Sequence, residues 1–288
     1  TMIQNSLSIQ EIKNYIGERQ IIASVSGGKD STAMALWLKE NGFDYQAVFI
    51  NTGWEHNSTL EYLHEYLPQF IGDVHTVEGP GMMDLVKTKE RFPSPNVRFC
   101  TGELKIRPMK RYMRSLPTDV VNAVGIRAQE SSKRANDPEW EENPSLRCET
   151  WRPIIHWTEK DVIAMHHKHN VLPNPLYLKG AERVGCWPCI FARKREIRML
   201  SRLSPDRIAE IRELEHHVNI RRQQKDPNAK PMTWFQRGGY SMPIDHVVQW
   251  AHSNESDHEL FEVQDHQAGC MRWGLCDVAH PNMPQKPE

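Results

Sequence analysis

The sequence lacks the main features of membrane, secreted and fibrous proteins. Its longest apolar runs, such as Ile21-Ile22-Ala23, are far shorter than the about 20 residues of a membrane-spanning helix. The N-terminus has no basic segment followed by an apolar one, and we find no internal repeat or low-complexity tract. With 39% hydrophobic and 25% charged residues, the sequence predicts a globular cytoplasmic protein without a membrane partner.

Neither sign of charge dominates the chain. The formal net charge is −1, which argues against a general attraction of the whole molecule to polyanions. Residues 183–225 are an exception, because they hold eleven Lys and Arg against five Asp and Glu. A solvated helical face is the favoured interpretation of this stretch, and a patch that binds DNA or another nucleic acid is the alternative.

Cysteine is sparse, with six residues in 288. In a cytosolic chain this argues against a disulfide framework and favours metal binding or redox chemistry. Cys186 and Cys189 are separated by two residues, a spacing at which two thiolates bind zinc or an iron–sulfur cluster, or form a redox disulfide.

The first half of the chain alternates short β-branched runs with helical patterns. The predicted strands are Gln20 to Val25, Ala47 to Asn51, Val74 to Val77 and Val120 to Ile126. Helical patterns follow them, and the pattern becomes mainly helical after the turn-rich residues near 175. We therefore predict a doubly wound, mostly parallel α/β sheet in residues 1–175 and a smaller helical, cysteine-bearing region in 176–288.

The end of the first predicted strand carries the clearest chemistry. It is followed by Ser26-Gly27-Gly28-Lys29-Asp30-Ser31 and then by a helical pattern. Glycines allow the backbone amides to approach a phosphate, and a helix N-terminus adds partial positive charge. Lys29 supplies a full charge. The loop is not a Walker A motif, since Lys29 is followed by Asp.

These six residues resemble the PP-loop of the ATP pyrophosphatase superfamily. Three further segments resemble its phosphoadenosine-phosphosulfate (PAPS) reductase branch. They are Asn51-Thr52-Gly53, the run Gly125-Ile126-Arg127-Ala128-Gln129-Glu130-Ser131 with Arg134, and Arg98-Phe99-Cys100-Thr101. The resemblance covers roughly residues 20 to 200 and is nearest to members that transfer sulfur, such as DNA phosphorothioation enzymes.

The resemblance implies ATP cleavage between the α- and β-phosphates, with Mg²⁺ on the phosphates. It implies catalytic roles for Lys29, Asp30 and Arg127, and Asp30 would either hold the Mg²⁺ or cap the helix. It also implies a larger set of nucleotide-binding residues: Ser26, Gly27, Gly28, Lys29, Asp30, Ser31, Thr52, Gly53, Gly125, Arg127, Glu130 and Arg134.

For the cysteines, the resemblance implies a [4Fe–4S] cluster. The predicted ligands are Cys100, Cys186, Cys189 and Cys276, with Cys270 as the alternative to Cys276. A zinc ion on the same residues, or no metal, are the other hypotheses.

Three functions remain open at this point. The first is an adenylating ATP pyrophosphatase that transfers sulfur, with a cysteine desulfurase as donor and DNA or another nucleic acid as acceptor. The second is a PAPS or adenylyl-sulfate (APS) reductase, although the usual Glu-Cys-Gly-Leu/Ile-His string is absent. The third is a non-catalytic nucleotide-binding partner subunit. Monomer and homodimer are equally compatible with the sequence.

Overall fold

One six-stranded sheet forms the centre of the molecule. The computed structural model describes residues 7–132, 134–237, 240–253 and Trp273. The strands of the sheet are Gln20–Ser24 (β1), Tyr45–Asn51 (β2), Val74–Glu78 (β3), Val120–Val124 (β4), Trp140–Asn143 (β5) and Cys148–Trp151 (β6). Their spatial order is β3-β2-β1-β4-β6-β5, and only the β5–β6 pair is antiparallel. The predicted mostly parallel α/β fold is confirmed.

Helices cover the sheet and form most of the C-terminal half. In the described residues they are Ile9–Ile16 (α1), Lys29–Glu40 (α2), Asn57–Glu61 (α3), Pro68–Ile71 (α4), Met82–Lys89 (α5), Phe99–Thr101 (α6), Arg107–Ser115 (α7), Glu159–Lys168 (α8), Pro175–Leu178 (α9), Lys194–Leu203 (α10), Pro205–Lys225 (α11) and Ile244–His252 (α12). Turns of π-helix, Tyr62–Tyr66 and Gly102–Ile106, join α3 to α4 and α6 to α7. A small hairpin, Phe235–Arg237 (β7) with Tyr240–Met242 (β8), precedes α12.

The order of the strands creates a crevice above β1 and β4. From β1 the chain moves to β2 and β3 on one side, and β4 then returns to the other side of β1. Ser24 and Val124 are in register at the carboxyl ends of the two strands, so the loops that follow leave the sheet at the same level. Ligands of open α/β sheets bind at such a point.

The C-terminal helices pack on the sheet domain through a shared apolar core. Trp54 and Phe92 from the first half lie in the same buried cluster as Ile197, Ile211 and Trp234. The buried carboxylate of Glu215 on α11 accepts hydrogen bonds from the backbone N–H groups of Trp234 and Ile244, both at 3.0 Å. The domain boundary near residue 175 stays a prediction.

Several short elements differ from the sequence-based expectation. The last two strands of the sheet, β5 and β6, have four residues each, and β6 carries the charged Glu149. Such short, charged strands lack the apolar run by which the other four were predicted. The helical pattern that follows the second predicted strand forms a series of short helical segments over residues 57–71. None of the described helices combines the length and the apolar character that crossing a membrane requires.

Candidate functional site

Hydrogen bonds of a serine hydroxyl stabilise the conformation of the loop after β1. Ser31 Oγ accepts a hydrogen bond from the Ser26 backbone N–H at 3.1 Å and donates to the Gly28 carbonyl oxygen at 3.1 Å. Gly27 has a φ of +70°, and a Cβ there would lie 3.0 Å from Thr59 Cγ2. The glycine therefore permits a turn that a larger residue would strain. Helix α2 begins at Lys29, within the string Ser26–Ser31 rather than after it.

Three charged side chains meet at the start of α2. Lys29 Nζ lies 3.2 Å from Asp30 Oδ2, and Arg127 Nε donates to Asp30 Oδ1. Lys29 and Arg127 are only 7% and 4% exposed. The N-cap residue of α2 is Gly28, and Asp30 lies in the first turn of the helix. The arrangement holds two buried cations at the crevice in contact with one shared carboxylate, whose single negative charge offsets only part of theirs.

A glycine after β4 lets the two loops approach each other. A Cβ on Gly125 would lie 2.6 Å from Ser31 Cα and 2.8 Å from the Asp30 carbonyl oxygen. Both are backbone atoms, so neither could move aside as the end of a side chain does. Gly125 is therefore required for the contact that places Arg127 beside Asp30.

The turn that follows Arg127 is fixed by hydrogen bonds to its side chains. Glu130 Oε1 accepts from the Arg127 backbone N–H at 2.8 Å, while Glu130 Oε2 accepts from Arg134. Gln129 Oε1 accepts from Arg127 Nη1 and from the Glu159 backbone N–H, both at 3.0 Å. These bonds connect the turn to the N-terminus of α8. Arg134, predicted to contact phosphate, is thus paired with Glu130 in this structure.

The loop after β2 forms a second compact turn. Glu55 is 6% exposed, and its carboxylate accepts from Thr52 Oγ1 at 2.6 Å and from the backbone N–H groups of Thr52 and Trp54 at 3.1 Å. Gly53 has a φ of +64°. The sequence analysis singled out Thr52 and Gly53 but not Glu55, whose carboxylate holds the turn together.

The cysteine pair lies directly on this turn. The Trp187 backbone N–H donates to the Trp54 carbonyl oxygen at 2.7 Å, and Trp54 Nε1 donates to the Pro188 carbonyl oxygen at 3.1 Å. The same segment approaches the phosphate-type loop, since a Cβ on Gly28 would lie 3.9 Å from the Val184 carbonyl oxygen. The structure therefore brings the Cys186–Cys189 segment and the loops after β1 and β2 into one site.

The cysteines do not form a ready metal site in the described part of the chain. Burial raises the pKa of the Cys186 thiol; nearby Lys105 lowers it, and Glu55, Cys189 and Cys100 raise it further. Cys186 and Cys100 both pack against the core cluster that contains Trp54. Among the described residues, no three His, Cys, Asp or Glu side chains converge as a metal would require. Cys276 and Cys270 lie outside the described residues.

Three residues that the sequence analysis did not assign to the site contact Lys29. The Tyr177 hydroxyl accepts from the Lys29 backbone N–H at 3.2 Å, and Glu159 Oε1 lies 3.5 Å from Lys29 Nζ. His166, which is fully buried, places Nε2 3.0 Å from the Lys29 carbonyl oxygen. Burial lowers the pKa of His166 to about 4, which suits a neutral ring packed in the interior. Of these three residues, only Tyr177 lies in a sequence string that could have drawn attention to it, Asn174-Pro175-Leu176-Tyr177.

The basic stretch 183–225 is extensively paired with carboxylates. Arg212 lies 2.7 Å from Asp245, and Arg221 and Lys225 both contact Glu90. Arg183 and Arg193 pair with Glu196 and Glu182. These pairs fit a solvated helical face, the favoured interpretation of the stretch.

Comparison with known proteins agrees with this geometry. The family model described as "Phosphoadenosine phosphosulfate reductase domain" matches residues 20–192. An uncharacterized protein of Escherichia phage 186 is 36% identical, covering 68% of this chain and 75% of its own. An adenosine 5'-phosphosulfate reductase of Deinococcus radiodurans is 29% identical, covering 53% and 59% of the two chains.

Among solved structures, a PAPS reductase from Candida auris superposes with a TM-score of 0.50 at 17% identity. The match covers 64% of this chain and 90% of that one, and it supports the fold alone. The chain spans just under half the length, 47% and 46%, of two relatives from Methanocaldococcus jannaschii. On the extent of the family match, the chain belongs to the phosphoadenosine phosphosulfate reductase domain family.

Proposed function

We propose that this protein binds ATP at the loop Ser26–Ser31, cleaves it between the α- and β-phosphates, and uses the adenylated intermediate in sulfur transfer. The observation that carries the proposal is the meeting of the loops after β1 and β4. It places the amides of a helix N-terminus, Lys29 and Arg127 together at the switch point of the sheet. Such a set of donors suits a polyphosphate.

In the proposed reaction, the protein positions the phosphates and stabilises charge. Arg127 offers a planar fork of donors, and Lys29 a point charge. Both are held by Asp30 before the nucleotide enters, and the negative phosphates would then take over part of that interaction. An oxygen of the second substrate would attack the α-phosphorus, and pyrophosphate would leave. A sulfur nucleophile would then attack the atom that carries the adenylated oxygen, and AMP would leave with that oxygen.

Magnesium would enter with the nucleotide. Asp30 is already engaged by two cations, and the described part of the chain offers no group of three carboxylate, thiol or imidazole side chains for an ion. Mg²⁺ commonly binds through substrate phosphates and only one or two carboxylates. The ATP phosphates would therefore supply most of its ligands.

The cysteine segment provides the link to sulfur. The hydrogen bonds of Trp187 and Pro188, which lie between the two cysteines, to Trp54 support a role for Cys186 and Cys189 near the proposed nucleotide site. We propose that they act either as ligands of a [4Fe–4S] cluster or zinc, completed by Cys276 or Cys270, or as thiols that carry sulfur. A cysteine desulfurase as donor and DNA as acceptor belong to the same proposal, as does assembly into a homodimer.

Sulfonucleotide reduction is the second candidate, because the family description and the Deinococcus radiodurans relative both carry that activity in their names. This reaction would bind the adenylyl moiety of its substrate at the same loops, those after β1 and β4. The two candidates differ in their products: pyrophosphate from ATP in the first, sulfite from APS or PAPS with a thiol reductant in the second.

The experiment is a product analysis under anaerobic conditions with the purified full chain. ATP is supplied with and without DNA, APS and PAPS are each supplied with a thiol reductant, and pyrophosphate, ADP, phosphate and sulfite are quantified. Pyrophosphate without ADP supports the proposal, and sulfite supports the second candidate. Nucleotide binding with no turnover of any of the three would instead indicate a non-catalytic partner subunit.

A further inference from the structure

Residues 87–114 hold a concentration of positive charge that the proposed ATP site does not use. They include nine Lys and Arg against two acidic residues, Glu90 and Glu103. Seven of the nine cations are exposed, while Arg91 and Lys110 are half-buried. The charge is denser here than in residues 183–225, where eleven cations stand against five acidic residues over a longer stretch. The segment includes the end of α5, all of α6 and most of α7, so the fold decides whether these cations lie together.

Helix α7 presents a basic face to solvent. Arg107, Arg111 and Arg114 follow one another at intervals of four and three residues, which places them on one side of the helix. All three are exposed, whereas Met109 and Met113 are buried on the other side. The face is about 10 Å long, since an α-helix rises about 1.5 Å per residue. In the part of the chain that the structure describes, no carboxylate lies at ion-pair distance from Arg111 or Arg114.

The end of α5 approaches this face across a groove. Lys89 Nζ lies 3.4 Å from Glu103 Oε1, and Arg107 Nη1 lies 2.6 Å from Glu103 Oε2, so one carboxylate joins the two helices. Lys89, Arg107 and Arg111 line the same groove, which has a volume of about 540 Å³. Its other charged lining residues besides Glu103 are also acidic, Glu78 and Asp84. The groove itself is therefore close to neutral, and the excess of positive charge lies along α7.

An exposed aromatic ring adjoins the same basic segment. Arg98, which precedes α6, places its guanidinium 5.2 Å from the centroid of the Phe191 ring. Phe191 is 41% exposed and follows Cys189 by two residues. An exposed ring beside cations suits a nucleic acid, because every base offers a flat face for stacking and every nucleotide a phosphate. The contact also connects the basic segment to the cysteine segment.

The groove between α5 and α7 begins at the turn that carries Thr52 and Gly53. The Met82 backbone N–H, at the start of α5, donates to the Thr52 carbonyl oxygen at 2.9 Å. The Gly79 backbone N–H donates to the Asn51 carbonyl oxygen at 3.2 Å, and a Cβ on Gly79 would lie 3.4 Å from the Leu104 carbonyl oxygen. The turn after β2 and the π-helical turn before α7 are thus packed on the same loop. A polymer bound along α7 would lie next to the carboxyl edge of the sheet.

We propose that these cations form a surface that binds the phosphate backbone of a nucleic acid, the acceptor of the proposed sulfur transfer. The basic surface consists of Lys87, Lys89, Arg98, Arg107, Arg111 and Arg114. Charge complementarity carries the choice of partner, because a duplex bears a negative charge about every 1.7 Å along its axis. The role of the nucleic acid as acceptor rests on the proposed function, whereas its binding to this surface does not.

A membrane surface fits this face less well. A basic helix that lies on lipid also needs an exposed apolar face. The methionines of α7, Met109 and Met113, are instead packed in the buried cluster that contains Ile22 and Val48 of the sheet. The helix therefore offers charge to a partner but none of its own apolar side chains.

The test measures binding of short DNA and RNA duplexes of the same sequence to the full chain without ATP, by fluorescence anisotropy between about 50 and 200 mM salt. The test variant is Arg111→Gln with Arg114→Gln, and both side chains are exposed, so it is expected to fold normally. Arg111→Lys with Arg114→Lys keeps the two charges. The matched control is Arg202→Gln with Arg212→Gln, which removes two charges from α10 and α11 in the other basic stretch.

We expect the wild type to bind with an affinity that falls steeply as the salt concentration increases. The glutamine variant should bind about tenfold or more weakly, and its slope of log affinity against log salt should be less steep by about two, because each lost phosphate contact removes about one unit of slope. The lysine variant and the control should keep the wild-type slope. The duplex that binds more tightly indicates the class of acceptor.

Three results would overturn the assignment: no salt-dependent binding by the wild type, an equal loss in the control, or a loss of slope in the lysine variant. Binding to phosphatidylserine vesicles but to neither duplex would assign the surface to a membrane instead. Pyrophosphate release from ATP, measured on the same preparations, tests the proposed function separately. Duplex binding without pyrophosphate contradicts that function alone, and pyrophosphate without duplex binding contradicts this surface alone.

Discussion

Arg127 donates through Nε to the carboxylate of Asp30, and this contact joins the loop after β4 to the first turn of α2. Both side chains are largely buried at the switch point of the sheet. The pair therefore positions a guanidinium where a phosphate would bind and also fixes the geometry between the two loops.

Replacing Arg127 by lysine should separate its proposed contact with phosphate from the ion pair that it forms with Asp30. Arg127→Lys keeps the charge but loses the fork of donors, and we expect ATP affinity to fall about tenfold. The matched control is Arg19→Lys, which affects an ion pair with Glu149 away from the site. Equilibrium dialysis with ATP measures both. Equal affinities of the two variants would show that Arg127 does not contact the nucleotide.

Gly125 should tolerate no side chain. In Gly125→Ala the new Cβ would overlap the backbone at Ser31, and we expect a loss of about 3 kcal/mol in the free energy of unfolding together with weaker ATP binding. Gly102→Ala is the control, because no atom lies within 4 Å of its Cβ position. Urea denaturation of both variants is the measurement. A Gly125→Ala protein as stable as the control would refute the close approach.

The buried Glu215 should make stability depend on pH. Burial raises its pKa from 4.5 to about 6, so the folded state binds a proton more tightly than the unfolded state. The stabilisation is then fully present below pH 4.5 and is lost as the pH rises through 6.

Denaturation of wild type and Glu215→Ala at several pH values tests this. The variant leaves two backbone N–H groups without their acceptor and is expected to be less stable throughout. The stability difference should shrink by up to roughly 2 kcal/mol between pH 4.5 and 7. A difference that grows with pH would contradict the raised pKa.

Metal binding should depend on the cysteine segment. After anaerobic purification, we expect iron or zinc in the wild type and its loss in Cys186→Ser and Cys189→Ser. Cys148→Ser is the control, since Cys148 packs beside Met113, outside the cysteine segment. Elemental analysis and the visible absorption spectrum report the result. A wild-type protein free of both iron and zinc would contradict the metal site and favour a role of these thiols as sulfur carriers.

Much of the site was predictable because its signals are local. The glycines and Lys29 after β1, and the Gly125–Arg134 run after β4, are contiguous strings whose strands the apolar pattern also located. Contacts between distant segments were not predictable. Glu159 and Tyr177 reach Lys29 only through the fold, and nothing in their neighbourhood in the sequence indicates that contact.

In the fold, too, elements that depend on contacts between distant segments were not predictable from the sequence. The four parallel strands predicted from apolar runs are present, whereas the short strands β5 and β6 depend on pairing with the edge of the sheet. Burial there comes mainly from Trp151, which is fully buried against Trp140. Such tertiary stabilisation overrides weak local preference.

The central claim is ATP cleavage between the α- and β-phosphates at the loop that contains Lys29. The most direct measurement follows ATP labelled at the α- and γ-phosphates, in wild type, Lys29→Gln and the control Lys39→Gln at the other end of α2. We predict AMP or an adenylated product with pyrophosphate in the wild type and the control, and a loss of about 100-fold or more in Lys29→Gln. Steady formation of ADP and phosphate by the wild type would contradict the account.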